Sequence, residues 1–201
     1  MLRYQLNPHF LFNTLNAINA LVITGDAPRA GLLIQQLSRF LRHSLKQENK
    51  GLVPLGEELE SLMLYLDIEK ARFDDRLSLA FTIDPESRQA LVPEFILQPL
   101  VENAMEHAIT PSEAGGTVSL TTQVRDDKLL IEIADNGPGM DASRLEASSG
   151  IGLGNTVARL NALFEGSYTF TTTNADPSGL VVRLCIPYVV SVDPEAVVDN
   201  R

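Results

Sequence analysis

The segment QPLVENAMEHA, residues 98–108, combines an apolar helical face with a row of polar side chains. The apolar positions recur at steps of three and four residues, which predicts a helix with one side on a core. They are Leu97, Leu100, Val101, Ala104 and Ala108. The other face carries Glu102, Asn103, Glu106 and His107. We expect Pro93 to open this helical region and Pro99 to lie in its first turn or at a kink. A plain surface helix with a solvated polar side is the alternative.

Two glycine-rich segments downstream favour a binding site over a plain surface helix. The segment DNGPG, residues 135–139, closes a predicted strand, and GIGLGN, residues 150–155, precedes a further predicted helix. An amide on a helix, a carboxylate at a strand end and a glycine-rich loop are the parts of a pocket for a nucleotide and a metal ion. Loops as long as residues 136–153 are usually functional, and we expect poor order between about residues 141 and 150 without nucleotide.

Composition limits the classes of protein to which the chain can belong. With 201 residues, 22.0 kDa and 44% hydrophobic residues, it can bury the core of one sizeable domain plus a smaller element. The net charge is −10 without a basic cluster, which disfavours direct nucleic-acid binding. The single cysteine, Cys185, excludes an intramolecular disulfide and is expected in the core. No apolar run is long enough for a membrane span, and a patterned helix follows Met1 so closely that we expect a missing upstream region.

The first 50 residues predict a helical hairpin. A stripe of Leu11, Leu15, Ile18 and Val22 predicts a first helix that ends at Gly25 and Asp26. A second helix should start at Asp26-Ala27-Pro28 and run to about Lys46, with an apolar stripe that includes Leu33, Leu37, Phe40 and Leu41. Neither stripe can be hidden fully in so small a unit. Pairing two hairpins into a four-helix bundle solves this, so we predict a homodimer.

His9 is the candidate reactive residue of this hairpin. It lies in NPHFLFN, residues 7–13, where Pro8 should kink the helix one residue before His9. A lone histidine on an apolar helix is more often structural, but this surrounding sequence favours a functional role. His43, near the end of the second helix, is expected on the surface.

The rest of the chain predicts a connecting helix followed by an α+β domain. Residues 47–52 resemble a linker, and a third helix should run from about Pro54 to Phe73 with Leu59, Leu62, Met63, Leu66 and Phe73 on its apolar side. Its charged face should meet solvent and includes Glu57, Glu58, Glu60, Asp67, Glu69, Lys70 and Arg72. Strands are expected from the two-residue period at 77–83, 118–124 and 129–134, a helix at 155–164, and a hairpin at 168–173 and 180–187. The domains are therefore residues 1–50, 51–75 and 76–188, with an acidic, frayed tail at 189–201.

The polar helix, DNGPG and the glycine loop, in this order, resemble the ATP-binding fold shared by gyrase, heat-shock chaperones, mismatch-repair ATPases and histidine kinases. With QLNPHFLFNTLN at residues 5–16, nearly the whole chain resembles the sensor histidine kinases of the LytS and YehU type. The resemblance implies a GHKL-type α/β sandwich after a dimerisation hairpin. It also implies ATP-dependent autophosphorylation, transfer to a response regulator and a cytoplasmic location, with any membrane attachment through the upstream region.

By this resemblance, His9 is the phosphoacceptor, Asn103 the Mg²⁺ ligand and Asp135 the acceptor for the adenine amino group. A neutral imidazole is a competent nucleophile near pH 7, and an amide oxygen suits a hard cation. His107 is assigned to the ATP site, and Glu102 is a candidate for orienting the metal-bound water or the phosphates. Gly137 and Gly139 would let the base approach the backbone, while Gly150, Gly152 and Gly154 would let the lid close on phosphate. No Walker-type basic loop is present.

Two residues depart from the family pattern. Glu106 stands where relatives commonly carry Lys, and a carboxylate roughly 6 Å from a phosphate costs on the order of 3 kcal/mol. If Glu106 turns outward, or if Arg159 or Arg144 takes over, activity survives. Phe10 follows His9 where many histidine kinases place an acid, so the general base is unassigned. The competing readings are a degenerate ATP-binding or dimeric scaffold and, less well matched to NPHFLFN, an ATPase or serine kinase of the same fold.

Overall fold

The computed structural model describes residues 8–46, 51–140 and 154–191. It begins with a helical hairpin of α1 (Pro8–Ile23) and α2 (Ala27–Lys46), and α3 (Leu55–Phe73) packs beside both helices. Gly25, with φ of +80°, makes the turn, and Asp26 Oδ1 caps α2 by accepting a hydrogen bond of 3.3 Å from the Arg29 backbone N–H. The predicted helices are confirmed. Asn7, where the kink was expected, lies outside the described residues.

The hairpin leaves much apolar surface uncovered in a single chain. Phe10 and Thr14 of α1 and Leu33, Leu37 and Phe40 of α2 are buried. In contrast, the outer side of α1 exposes Phe12, Leu15, Val22 and Ile23 by 66, 52, 59 and 76%. The incomplete burial expected of this hairpin is therefore observed.

A five-stranded mixed sheet forms the centre of the second half. Its strands are β2 (Leu77–Ile83), β4 (Gly116–Arg125), β5 (Lys128–Asp135), β6 (Thr169–Asn174) and β7 (Leu180–Pro187), in the order β2-β4-β5-β7-β6. The pair β2 and β4 is parallel, and the remaining pairs are antiparallel. Alternate residues of the strands are buried, among them Val118, Leu120, Leu129, Ile131 and Ile133, as the two-residue period predicts.

Two further helices complete the second half. α4 (Leu97–Ala104) continues into a π-helical turn, Met105–Ile109, and α5 (Gly154–Phe164) follows residues 141–153, the segment of the expected mobile loop, which lies outside the described residues. The α+β fold class is confirmed. None of the helices in the described ranges is long and apolar enough to cross a bilayer.

Short-range strand pairing, including one isolated bridge, accounts for three errors in the predicted boundaries. β1 (Leu52–Pro54) pairs with β3 (Leu91–Pro93) as a separate two-stranded sheet, so the linker ends one residue before Leu52. Pro93 ends β3 rather than opening a helix, and α4 starts at Leu97 with Pro99 in its first turn. The tail begins in a paired conformation, because Val190 bridges Ala90; residues 192–201 lie outside the described residues.

Five side chains lie elsewhere than predicted. Glu58 and Glu69 of α3 are 3 and 1% exposed instead of meeting solvent, while Met63, assigned to the apolar side, is 42% exposed. α3 packs against α2 and α4, so the charged side that meets solvent is narrower than predicted and comprises Glu57, Glu60, Asp67 and Lys70. Cys185 is half-buried on the outer surface of the sheet rather than in the core, and His43 is half-buried rather than on the surface.

Candidate active site

The polar face of α4 is arranged by the π-helical turn that ends it. The Thr110 backbone N–H donates to the Met105 carbonyl at 2.9 Å, a five-residue step, and its hydroxyl donates to the same oxygen. Such turns often occur at functional sites. Glu106 and His107 are exposed, Glu102 and Asn103 are half-buried, and the predicted apolar positions are buried. Both predicted faces of this helix are therefore confirmed.

A buried carboxylate fixes the start of α4. Glu58 of α3 accepts hydrogen bonds from the backbone N–H groups of Phe95, Ile96 and Leu97 at 2.7, 2.9 and 3.3 Å. The N–H groups of Ile96 and Leu97 are among those that a helix leaves without partners at its first turn. Burial raises the pKa of Glu58, and the three N–H groups oppose that rise. α3 and α4 are thus joined through one side chain.

Asp135 closes β5 in a half-buried position. Its Oδ1 accepts hydrogen bonds from the backbone N–H groups of Gly137, at 2.9 Å, and Leu180, at 3.3 Å. Burial raises the pKa of Asp135, whereas these two hydrogen bonds and the nearby His107 lower it. The exposed imidazole of the α4 turn and the carboxylate at the strand end therefore face a common region.

The glycines after Asp135 are required by close packing. A Cβ on Gly137 would lie 2.5 Å from the Ala108 Cβ. Gly139 has φ of +77°, and the next residue, Met140, exchanges two hydrogen bonds of 2.8 Å with the side chain of Asn174. In this structure both glycines are required because other protein atoms lie where a Cβ would be. The sequence had suggested a different reason, namely the approach of a base to the backbone.

His9 lies in a cleft that also includes residues of α3 and α4. The cleft has a volume of about 40 Å³. It is lined by His9, Phe10, Asn13, Tyr65, Glu69, Arg72, Glu102, Met105, Glu106 and Thr110. The Asn13 amide nitrogen is 3.4 Å from His9 Nδ1 and 3.2 Å from Nε2. The structure therefore brings His9 together with Glu102, one of the predicted site residues of α4.

Phe10 anchors the His9 end of α1. Its ring packs at 5.3 Å from the Phe40 ring in an edge arrangement and at 4.9 Å from the Tyr65 ring, measured between centroids. All three rings are buried. The residue after His9 is thus an aromatic anchor that fixes α1 to α2 and α3.

Sequence reasoning missed the contribution of α3 to this cleft. Tyr65, Glu69 and Arg72 are spaced by four and three residues, which places them on one side of a helix. Arg72 Nη2 lies 2.7 Å from Glu69 Oε2. Burial raises the pKa of Glu69 to about 7, Arg72 opposes the rise, and Glu102 adds to it. The spacing was available in the sequence, but it was interpreted as a solvent-facing charged surface.

The remaining predicted residues are distributed differently. Glu106 lines the His9 cleft, and Arg159 donates from its guanidinium to the Glu94 carbonyl. Gly154 starts α5, with open space where a Cβ would lie. Gly150, Gly152 and Arg144 lie outside the described residues.

Comparisons with known proteins agree with this arrangement. Residues 1–77 match the family described as Histidine kinase, and residues 90–190 match the family described as Histidine kinase-, DNA gyrase B-, and HSP90-like ATPase. The chain belongs to the histidine kinase family. This histidine kinase chain is 35% identical over 196 residues to Sensor protein LytS of Staphylococcus epidermidis, an alignment covering 93% of the chain and 33% of LytS. It therefore spans about a third of the length of the curated relatives it matches.

Two solved structures support the fold of this histidine kinase. The histidine kinase AdeS of Acinetobacter baumannii superposes with a TM-score of 0.55 at 16% identity, covering 85% of this chain and 83% of AdeS. Full-length ShkA, solved in complex with AMPPNP, superposes with a TM-score of 0.50 at 20% identity, covering 88% of this chain and 39% of ShkA. The GHKL-type architecture implied by the sequence resemblance is confirmed.

Proposed function

We propose that this chain is the kinase region of a sensor histidine kinase. It binds Mg-ATP in the α+β domain, transfers the γ-phosphoryl group to His9, and passes it to a response regulator. The observation that carries the proposal is the cleft in which His9 lies against α4, the helix that also carries Asn103. Such proximity can replace much of the entropy cost of a bimolecular step.

Asp135 fits the role of adenine acceptor. Both backbone hydrogen bonds go to Oδ1, so Oδ2 is the atom we assign to the adenine amino group. Its half-buried position and the glycines that follow suit a flat base at the end of β5. ShkA, of similar fold, is described with bound AMPPNP, which supports a nucleotide at this kind of domain.

The residues present fit a magnesium ion that is held together with nucleotide phosphates. The described residues contain no cluster of three or more His, Cys, Asp or Glu able to hold a metal ion. Mg²⁺ is commonly bound by one or two protein oxygens plus phosphates and waters. Asn103 supplies a half-buried amide oxygen on α4, and bound magnesium would neutralise phosphate charge during transfer.

The hairpin supports dimerisation. Leu15, Val22 and Ile23 are more than half exposed on α1, and no described element covers them. Pairing with a second hairpin would bury this surface in a four-helix bundle. We place this region in the cytoplasm, where ATP and a response regulator are available.

The test is incubation with Mg-ATP labelled at the γ position. Wild type should become labelled, and His9→Gln should not, because it removes the nucleophile. The chain has two other histidines, so His43→Gln is the matched control that should keep the label. Asn103→Ala should lose both label and Mg-ATP binding by calorimetry. Absence of label in the wild type would refute the kinase assignment and favour a signalling scaffold.

A further inference from the structure

The cleft at His9 contains a carboxylate that the proposed function does not use. Glu69 of α3 is 1% exposed, and its Oε2 faces Arg72 at 2.7 Å in an ion pair. That oxygen makes no aligned hydrogen bond to any described residue. A buried carboxylate with incomplete hydrogen bonding requires an explanation, because such groups are costly.

Packing fixes the position of Glu69 relative to His9. Phe10 follows His9 directly, and its ring packs against Tyr65, which is one helical turn before Glu69 on α3. The cleft between them, about 40 Å³, has room for little more than one water molecule. His9 and Glu69 therefore line the same narrow cleft, which has room for a bridging water.

We propose that Glu69 accepts the proton that His9 gives up when it is phosphorylated. The inference rests on the proposed function and deepens it. A ring nitrogen of neutral His9 attacks the γ-phosphorus with its lone pair; a P–N bond forms, and the P–O bond to the β-phosphate breaks with its electrons on ADP. The proton on the other ring nitrogen then passes to the Glu69 carboxylate. The products are ADP, a phosphohistidine with an uncharged ring and a dianionic phosphoryl group, and a carboxylic acid, so charge and protons balance.

The other carboxylates of the cleft suit this role less well. Glu102 precedes Asn103, the proposed magnesium ligand, and accepts a hydrogen bond of 2.8 Å from the Gln98 side chain. Glu106 is exposed, so solvent screens it. Glu69 is buried, belongs to a helix outside the proposed nucleotide site, and has a pKa that burial raises to about 7, which is suited to a base at neutral pH.

The test compares Glu69→Gln, Glu69→Asp and the control Asp67→Asn, an exposed residue of the same helix. Initial rates of His9 labelling are measured at saturating Mg-ATP, and Mg-ATP affinity is measured by calorimetry. We expect Glu69→Gln to lower the rate on the order of a hundredfold, because general bases typically contribute at least that much. Affinity should stay unchanged, Glu69→Asp should recover part of the rate, and Asp67→Asn should match the wild type.

A pH profile separates proton transfer from a structural role. Arg72 of α3, Glu102 and Glu106 of the α4 segment and His9 of α1 face Glu69 in the cleft. The reaction of the wild type needs both a neutral imidazole and an ionised Glu69. In acid, the logarithm of its labelling rate should therefore rise against pH with a slope of two. Glu69→Gln should reduce the slope to one.

Two results would overturn this inference while leaving the kinase assignment intact. One is a Glu69→Gln chain that labels His9 at the wild-type rate, and the other is a slow variant that keeps the slope of two. A wild type that never labels His9 would instead refute the proposed function, and this inference with it.

Discussion

At alkaline pH, the Glu69→Gln variant should be more stable to unfolding than the wild type, although the substitution slows the proposed chemistry. Burial raises the pKa of Glu69 from 4.5 to about 7 in the folded state. A carboxyl with a raised pKa contributes stability that is fully present below its unfolded pKa and is lost as pH rises through the folded pKa. One pKa unit corresponds to about 1.4 kcal/mol, so the loss between pH 4.5 and about 7 is about 3 kcal/mol.

The diagnostic quantity is how the difference in free energy of unfolding between variant and wild type changes with pH, because the neutral variant also loses an ion pair. The Arg72 side chain is 15% exposed and pairs with Glu69 at 2.7 Å, so Glu69→Gln leaves Arg72 without that partner. The attraction of Arg72 for the ionised carboxylate is already contained in the pKa of about 7 for Glu69. The lost ion pair therefore shifts the stability of the variant by a similar amount at both pH values and leaves the change with pH at about 3 kcal/mol.

The assay is chemical denaturation of wild type and Glu69→Gln at pH 5 and pH 8, at one protein concentration. The free energy of unfolding of the variant, relative to wild type, should rise by about 2–3 kcal/mol between these pH values. Glu60→Gln, at an exposed position of the same helix, should show no such change. If the difference between Glu69→Gln and wild type stays constant with pH, the argument from burial is refuted.

Three further changes test the packing of the fold. Glu58→Ala should lower the free energy of unfolding by about 3 kcal/mol, since three backbone N–H groups, two of them fully buried, lose their acceptor at about 1 kcal/mol each; a loss as small as that of exposed Glu57→Ala would contradict this. Gly137→Ala places a Cβ 2.5 Å from another Cβ and should cost about 1–3 kcal/mol in denaturation, whereas Gly154→Ala, in open space, should be tolerated. Val22→Glu, at a position 59% exposed in one chain, should give monomers in sedimentation; a persistent dimer would place the interface elsewhere.

α3 shows which part of the fold the sequence predicts. The sequence placed this helix at residues 54–73 and the structure at Leu55–Phe73, because its apolar period is long and regular. The burial of Glu58 and Glu69 was not predicted, because periodicity identifies an apolar face but not the neighbours that cover the other faces. α2 and α4 both contact this helix, and both carboxylates are buried.

The edges of α4 show a second limit. β1 and β3 have three residues each, too few to establish a two-residue period, so Pro93 was interpreted as a helix start. The π-helical turn likewise has no signal in the apolar pattern, which continues unbroken through Ala108. Motif and spacing predict the candidate site residues of α4 and of the end of β5, whose roles stay predictions, whereas the α3 side of the His9 cleft depends on tertiary contacts.

The π-helical turn carries Glu106, the residue that the resemblance suggested would lie near a phosphate. A carboxylate close to a phosphate would weaken ATP binding, which was the concern raised by the sequence. In the structure, Glu106 lines the cleft of His9, whereas His107, the next residue, lowers the pKa of Asp135. Successive residues of one turn thus face the proposed phosphoacceptor and the proposed adenine site. The negative charge of Glu106 therefore acts on the environment of the imidazole, and its effect on catalysis has to be considered there.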